Sequence, residues 1–190
     1  MVMPAVSVGR PGSANDGPPI DPRAVMAALD EVADPEIPTV SIVELGMIGA
    51  IDVEPDRVRV ELLPTFVGCP ALEVIRGAVE ARLGAFGLPV DVETSFAPPW
   101  TSDRISPAGR EKLRRSGFAP PPRLGSMRGA GGRALPMVDH SFAARAEAPV
   151  ECPYCGSTST TLENIFGPTQ CRSIRHCADC RQPFEAFKPV

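Results

Sequence analysis

At 190 residues with a formal net charge of −4 and a pI near 5.3, the chain has room for one domain or two small ones. It lacks the cationic excess that binding a nucleic-acid backbone requires. No apolar run reaches the length of a membrane span, and the first residues lack the apolar core of a secretory signal. Six cysteines in such a chain are expected to be thiols or metal ligands in the cytoplasm rather than disulfides.

The 23 prolines and 17 glycines cluster rather than spread, which marks tails and linkers. Residues 1–19 carry no apolar period and are expected to form a disordered tail. Asp21-Pro22 joins an N-cap residue to a proline at the first helical position. A helix is predicted from there to about Val32, with Val25, Met26, Leu29 and Val32 on one face. Asp34-Pro35-Glu36-Ile37-Pro38 halts it, because two prolines so close forbid helix and make a rigid loop presenting two carboxylates. On chemistry alone that loop reads as a solvated turn.

Ser41 to Leu45 leads into an apolar strand over 47–53; Pro55-Asp56 turns the chain and 57–63 returns it. In the second strand Val58, Val60 and Leu62 alternate with Arg57, Arg59 and Glu61, so one face is buried and one wet. In Thr65-Phe66-Val67-Gly68-Cys69-Pro70, the proline can open a helix that carries Leu72, Ile75, Val79 and Leu83 to a stop at Gly84. Cys69 then sits at or just before a helix N-terminus, where free N–H groups and the macrodipole favour a thiolate. A reactive thiol and a buried structural cysteine both remain open at this point.

Residues 89–95 read as a third strand, which a strand–helix–strand crossover makes parallel to the second. Residues 20–118 are therefore expected to be an α+β domain, a small mixed three-stranded sheet with helices on one face. Near its end, Pro98-Pro99-Trp100 holds the single tryptophan, and Ser106-Pro107 opens a short helix whose Arg110, Lys112, Arg114 and Arg115 read as a solvated face. Residues 119–150, proline- and glycine-rich without periodicity, read as a linker.

Residues 151–190 form the last unit. Cys152-Pro153-Tyr154-Cys155 and Cys177-Ala178-Asp179-Cys180 are two C-x-x-C pairs. Two intervening residues let both thiolates of a pair bend onto one ion, and a hairpin brings the second pair to complete a tetrahedron. Gly156 follows the first pair, where a metal knuckle often needs positive φ. Arg181 follows the second, so the knuckles are expected to differ. A piece this short, with Phe166, Phe184 and Phe187 as its expected core, rarely folds on apolar burial alone. A structural Zn²⁺ could supply about 10–16 kcal/mol of apparent binding energy instead. Cys171 is an alternative ligand, His176 another candidate, and four sulfurs also suit an iron–sulfur cluster or a single iron.

Asp34-Pro35-Glu36, the run from Ser41 to Ile48 and Thr65-x-x-x-Cys69-Pro70 together resemble the domain shared by SufT-like proteins and the eukaryotic cytosolic iron–sulfur targeting factors. Joined to Pro98-Pro99-Trp100, to Phe166-Gly167-x-Thr169-x-Cys171 and to the cysteine pairs, they make the chain from about residue 20 onward similar to the PaaD family. Those are small accessory subunits encoded with phenylacetyl-CoA epoxidase (ring-1,2-monooxygenase) systems. The resemblance implies a non-catalytic role in building or inserting the iron–sulfur centre of the system's reductase. The alternative role is a structural subunit of the oxygenase complex. It also implies that Asp34, Glu36, Thr65 and Cys69 occupy the functional positions. Two departures stand out: Pro189, where members often carry a further cysteine, and Pro168, where a small polar residue is usual.

Overall fold

The computed structural model describes residues 20–123 and 150–188. The expected tail at 1–19 and the greater part of the expected linker at 119–150 lie outside the described residues.

Asp21 opens the first helix, α1 (Pro22–Asp30), its side chain accepting from the Arg23 N–H at 2.9 Å. Val25 and Leu29 are fully buried, while Met26 stays 39% exposed, having rotated off the stripe by about 100°. The chain then forms a two-stranded ribbon, β1 (Ala33–Asp34) and β2 (Ile37–Ser41), where the sequence predicted a loop. Asp34 Oδ1 accepts from the N–H groups of Glu36 (2.8 Å) and Ile37 (3.0 Å), which closes the turn over Pro35. Pro38 is tolerated because each strand of so small a ribbon has a free edge.

Ser41 to Gly46 is a self-capped turn. The Glu44 N–H donates to Ser41 Oγ, and the Ser41 N–H donates to Glu44 Oε2, both at 3.0 Å. Gly46 has φ +69°, and a Cβ there would lie 2.5 Å from the Arg104 carbonyl oxygen, so only glycine fits.

β3 (Ile48–Val53) and β4 (Val58–Leu62) are antiparallel, α2 (Leu72–Leu83) crosses over, and β5 (Val90–Thr94) returns parallel to β4. The mixed sheet, ordered β3-β4-β5, is the predicted one. Val58, Val60 and Leu62 join Val25 and Leu29 of α1 and Ile75 and Val79 of α2 in one core. The two helices pack on each other and on the outer strands, α1 on β3 and α2 on β5. The fold is α+β. A third helix, α3 (Pro107–Arg115), packs on β2. No described helix is long and apolar enough to cross a membrane.

The C-terminal sheet reaches back to this domain. β6 (Phe118–Ala119) pairs parallel with β9 (Pro183–Phe187), which continues into β8 (Arg172–Cys177) and β7 (Thr160–Asn164) in the order β6-β9-β8-β7. The boundary expected after residue 118 thus falls inside a strand. The three phenylalanines expected to share a miniature core separate. Phe184 and Ala186 pack with Ala119, Cys152 and Cys177 in a small cluster. Phe187, 6% exposed, belongs to the large core of the first domain. Alternation along β9 sends these neighbours to opposite faces, and both faces are covered. Phe166 is 69% exposed, with the Lys188 ammonium 5.2 Å from its ring centroid.

Phe187→Ala should therefore destabilise more than the cysteine-rich unit. Urea unfolding followed by fluorescence of Trp100, which is buried in the large core, should show a loss of about 3–5 kcal/mol. An unchanged midpoint would mean the two units unfold independently.

Candidate functional site

Cys152 and Cys155 precede β7, Cys177 ends β8, and Cys180 lies in the turn to β9. Their four sulfurs lie within 4.8 Å of one another, with Cys152 to Cys180 at 3.7 Å and Cys155 to Cys177 at 3.6 Å. A tetrahedron of sulfurs about 2.3 Å from a zinc ion has edges of about 3.8 Å, so the set fits one tetrahedral ion. The two knuckles prove alike, against expectation: Gly156 has φ 76° and Arg181 has φ 57°. Arg181 accepts the left-handed conformation because the bend turns backbone donors toward sulfur.

The N–H of Ser157 faces Cys155, those of Cys180 and Asp179 face Cys177, and that of Gln182 faces Cys180. The Cys180 N–H, against the effect of burial and with help from Asp179, holds the Cys177 thiol down to about 7. Burial pushes Cys180 up to about 12. Four thiolates this close cannot all carry charge alone, and a divalent cation would remove the conflict by displacing the remaining protons.

Cys171 lies outside this group. It precedes β8 while Cys177 ends it, and six strand residues span about 20 Å. Cys152→Ser or Cys180→Ser should abolish stoichiometric zinc in the purified protein and the order of the ribbon with it. Cys171→Ser should leave zinc content unchanged. Zinc loss in Cys171→Ser, with Cys177→Ser silent, would reverse the ligand assignment.

A second constellation forms around Cys69, in the loop between β4 and α2. The helix begins at Leu72 with Ala71 as its cap, so a turn separates Cys69 from the helix. In that turn the Cys69 N–H donates to the Phe66 carbonyl at 3.2 Å, and its own carbonyl accepts from Leu72 at 3.3 Å. Thr65 opens the loop and is buried, whereas Val67 is 74% exposed. Gly68, at φ +83°, faces open space.

Cys69 is half-buried against the large core, and so is Cys171. Burial pushes the Cys69 thiol up, the Ala71 N–H opposes this, and the charges of Cys171, Glu36 and Asp34 add to the rise. The expected helix-activated thiolate is therefore reversed in the free protein. Desolvation and like charge outweigh the one backbone donor that reaches the sulfur.

Asp34, whose carboxylate caps its own turn, is pushed up by burial against the N–H groups of Glu36 and Ile37 and the charge of Arg172. Cys171 is pushed up by burial, against the Thr169 hydroxyl 3.1 Å away. Arg172, 5% exposed, reaches Glu36 at 3.6 Å and Glu185 at 2.8 Å. It also donates to Thr169 Oγ1 at 2.7 Å and lies 5.2 Å from the Phe118 ring centroid. The charges of Asp34 and Glu36 reach Cys69, and Thr65 stands at the start of the same loop. The structure adds Cys171, Arg172 and Thr169, which no local pattern linked to Cys69. The one available signal was the length of the strand separating Cys171 from the second knuckle.

Alkylation of Cys69 at neutral pH should run slower than that of a free cysteine and rise only as pH passes the usual thiol range. Glu36→Gln should speed it up, since removing a nearby negative charge lowers a thiol pKa. Peptide mass spectrometry of adducts against time resolves the site, and alkylation as fast as that of free cysteine would contradict the electrostatics.

Comparison with known proteins matches each half of the chain to a family. Residues 22–96 match an iron–sulfur cluster assembly protein family, and residues 138–188 match the PaaD zinc beta ribbon domain. A curated Escherichia coli (strain K12) protein is 36% identical over 167 residues, covering 87% of this chain and 92% of its own length. It carries a provisional name as one of the subunits of a 1,2-phenylacetyl-CoA epoxidase. Among solved structures, a domain of unknown function from Bacillus anthracis is 26% identical, with a TM-score of 0.45, over 48% of this chain and 89% of its own. A conserved hypothetical protein from Thermotoga maritima is 32% identical, with a TM-score of 0.44, over 50% of this chain and 95% of its own. With both halves matched in order and the curated relative aligned over most of its length, the chain belongs to the PaaD family, the family of that epoxidase component.

Proposed function

We propose that this protein is a non-catalytic maturation factor of a phenylacetyl-CoA epoxidase complex in aerobic phenylacetate catabolism. It assists assembly or insertion of the iron–sulfur centre in the complex's reductase. It works in the cytoplasm, with a structural Zn²⁺ held by Cys152, Cys155, Cys177 and Cys180. Cys69, Asp34, Glu36 and Thr65 form the working site, and the partners are the epoxidase components, the reductase above all.

The observation that carries this reading is the company Cys69 keeps. A catalytic cysteine needs a base or a positive field to hold its thiolate. Here the charges acting on Cys69 are those of Cys171, Glu36 and Asp34, and they oppose the thiolate. That environment suppresses nucleophilic chemistry in the free protein. Sulfur beside carboxylate is, however, a donor set that iron accepts, and an arriving cation would reverse the electrostatic penalty.

In cells expressing the epoxidase components, Cys69→Ala should leave this protein folded and its zinc content intact, while the reductase accumulates without its cluster. Iron content and visible absorbance of the purified reductase measure the loss. Full cluster occupancy would remove the maturation role and leave a purely structural one.

A further inference from the structure

The loop over residues 165–171 joins β7 to β8 and carries a phenylalanine outward, Phe166, 69% exposed. An exposed apolar side chain needs no explanation of its own. What sets this one apart is how firmly it is held. The Phe166 N–H donates to Asn164 Oδ1 at 2.9 Å, and the Gly167 N–H donates to the Arg172 carbonyl, also at 2.9 Å. A Cβ on Gly167 would lie 3.0 Å from the Arg172 carbonyl carbon, so the loop lies tight against β8. Lys188 supports it from below. Its ammonium donates to the Gln170 carbonyl at 2.6 Å and lies 5.2 Å from the Phe166 ring centroid, within cation–π range. Lys188 is 7% exposed, and no carboxylate pairs with it among the described residues. Cations so withdrawn from water are normally paired. The same loop adjoins the acidic turn of the first domain: Arg172 donates to Thr169 Oγ1 at 2.7 Å and meets Glu36 at 3.6 Å.

We propose that the Phe166 tip is the anchor through which the ribbon docks its client, the reductase, at an apolar pocket with a carboxylate on its rim. The inference rests on the maturation reading and names the surface that holds the client. Aromatic side chains are enriched at interfaces, and one already ordered by its own loop loses little freedom on binding. The open face of the ring fills the pocket, and its burial drives association. The rim carboxylate answers the Lys188 charge, for which the described residues supply a carbonyl and a ring face. Docking there places the client beside Glu36 rather than beside the sulfur tetrahedron, because Arg172 and Cys177 stand at opposite ends of β8.

The test measures binding of the full, zinc-loaded chain to purified, cluster-free reductase by calorimetry at two salt concentrations. Phe166→Ala should weaken binding about tenfold or more, with zinc content unchanged, and Phe166→Tyr, which keeps the ring, should restore it. Wild-type affinity should fall as salt rises, and Lys188→Gln should flatten that dependence. Equal affinity of wild type and Phe166→Ala, or no measurable binding by wild type, overturns the proposal. Self-association of the chain, seen by sedimentation and lost in Phe166→Ala, also overturns it by making a second copy the occupant. The surface and the maturation reading fail separately. If Phe166→Ala loses the reductase in vitro and the reductase still gains its cluster in cells carrying Cys69→Ala, the surface stands and the reading falls. If Phe166→Ala binds normally while Cys69→Ala leaves the reductase without its cluster, the reading stands and the surface falls.

Discussion

A buried guanidinium joins the halves of this protein. Arg172 emerges from the ribbon and meets Glu36 in the turn of the first domain, Glu185 on the neighbouring strand, and the Phe118 ring where the chain crosses between them. A charge withdrawn from water is tolerated only when paired and hydrogen-bonded, and removing one partner of such a pair typically costs about 3–5 kcal/mol. The two modules therefore cannot separate without exposing or orphaning that charge. Beside it, Phe187 occupies the large core and Lys188 closes the strand end over Cys171. Polar and apolar contacts at the seam fix the same geometry.

That seam gives β8 two different ends. At one, Cys177 and its knuckle partners form a closed sulfur tetrahedron, with backbone N–H groups aimed at the thiols. At the other, Cys171 packs on the same core as Cys69, and burial, with the charges of Glu36 and Asp34, pushes both thiols up. The first arrangement suits an ion that stays and holds a small sheet together. At the second, the penalty on a thiolate falls when positive charge is supplied. The exposed side of the Cys69 loop, with Val67 and Gly68 outward, leaves room for that approach.

Local rules carried the reading of individual elements a long way. The Asp21-Pro22 helix start, the alternation in β4, the crossover to a parallel β5 and the two C-x-x-C pairs each depend on a few neighbouring residues and on backbone periodicity. Errors arose where a side-chain contact or a neighbour distant in sequence set the outcome. Asp34 to Pro38 is a hairpin because the Asp34 carboxylate caps it. Arg181 takes a left-handed conformation because a sulfur cluster requires the bend. Phe187 leaves the expected miniature core because both faces of β9 are covered, and Phe166 because it lies in the exposed turn after β7.

The sequence by itself therefore determined the α+β pattern, the four-sulfur centre and the membership of Asp34, Glu36, Thr65 and Cys69 in a recognisable motif. These rest on spacing and local conformation, which a chain carries wherever it folds. Tertiary structure alone decided that Cys171 packs on the same core as Cys69, that β6 ties the first domain to the last strand, and that the Cys69 thiol is suppressed rather than activated. A thiol pKa is the balance of desolvation against nearby charge, and both are set here by residues far away along the chain.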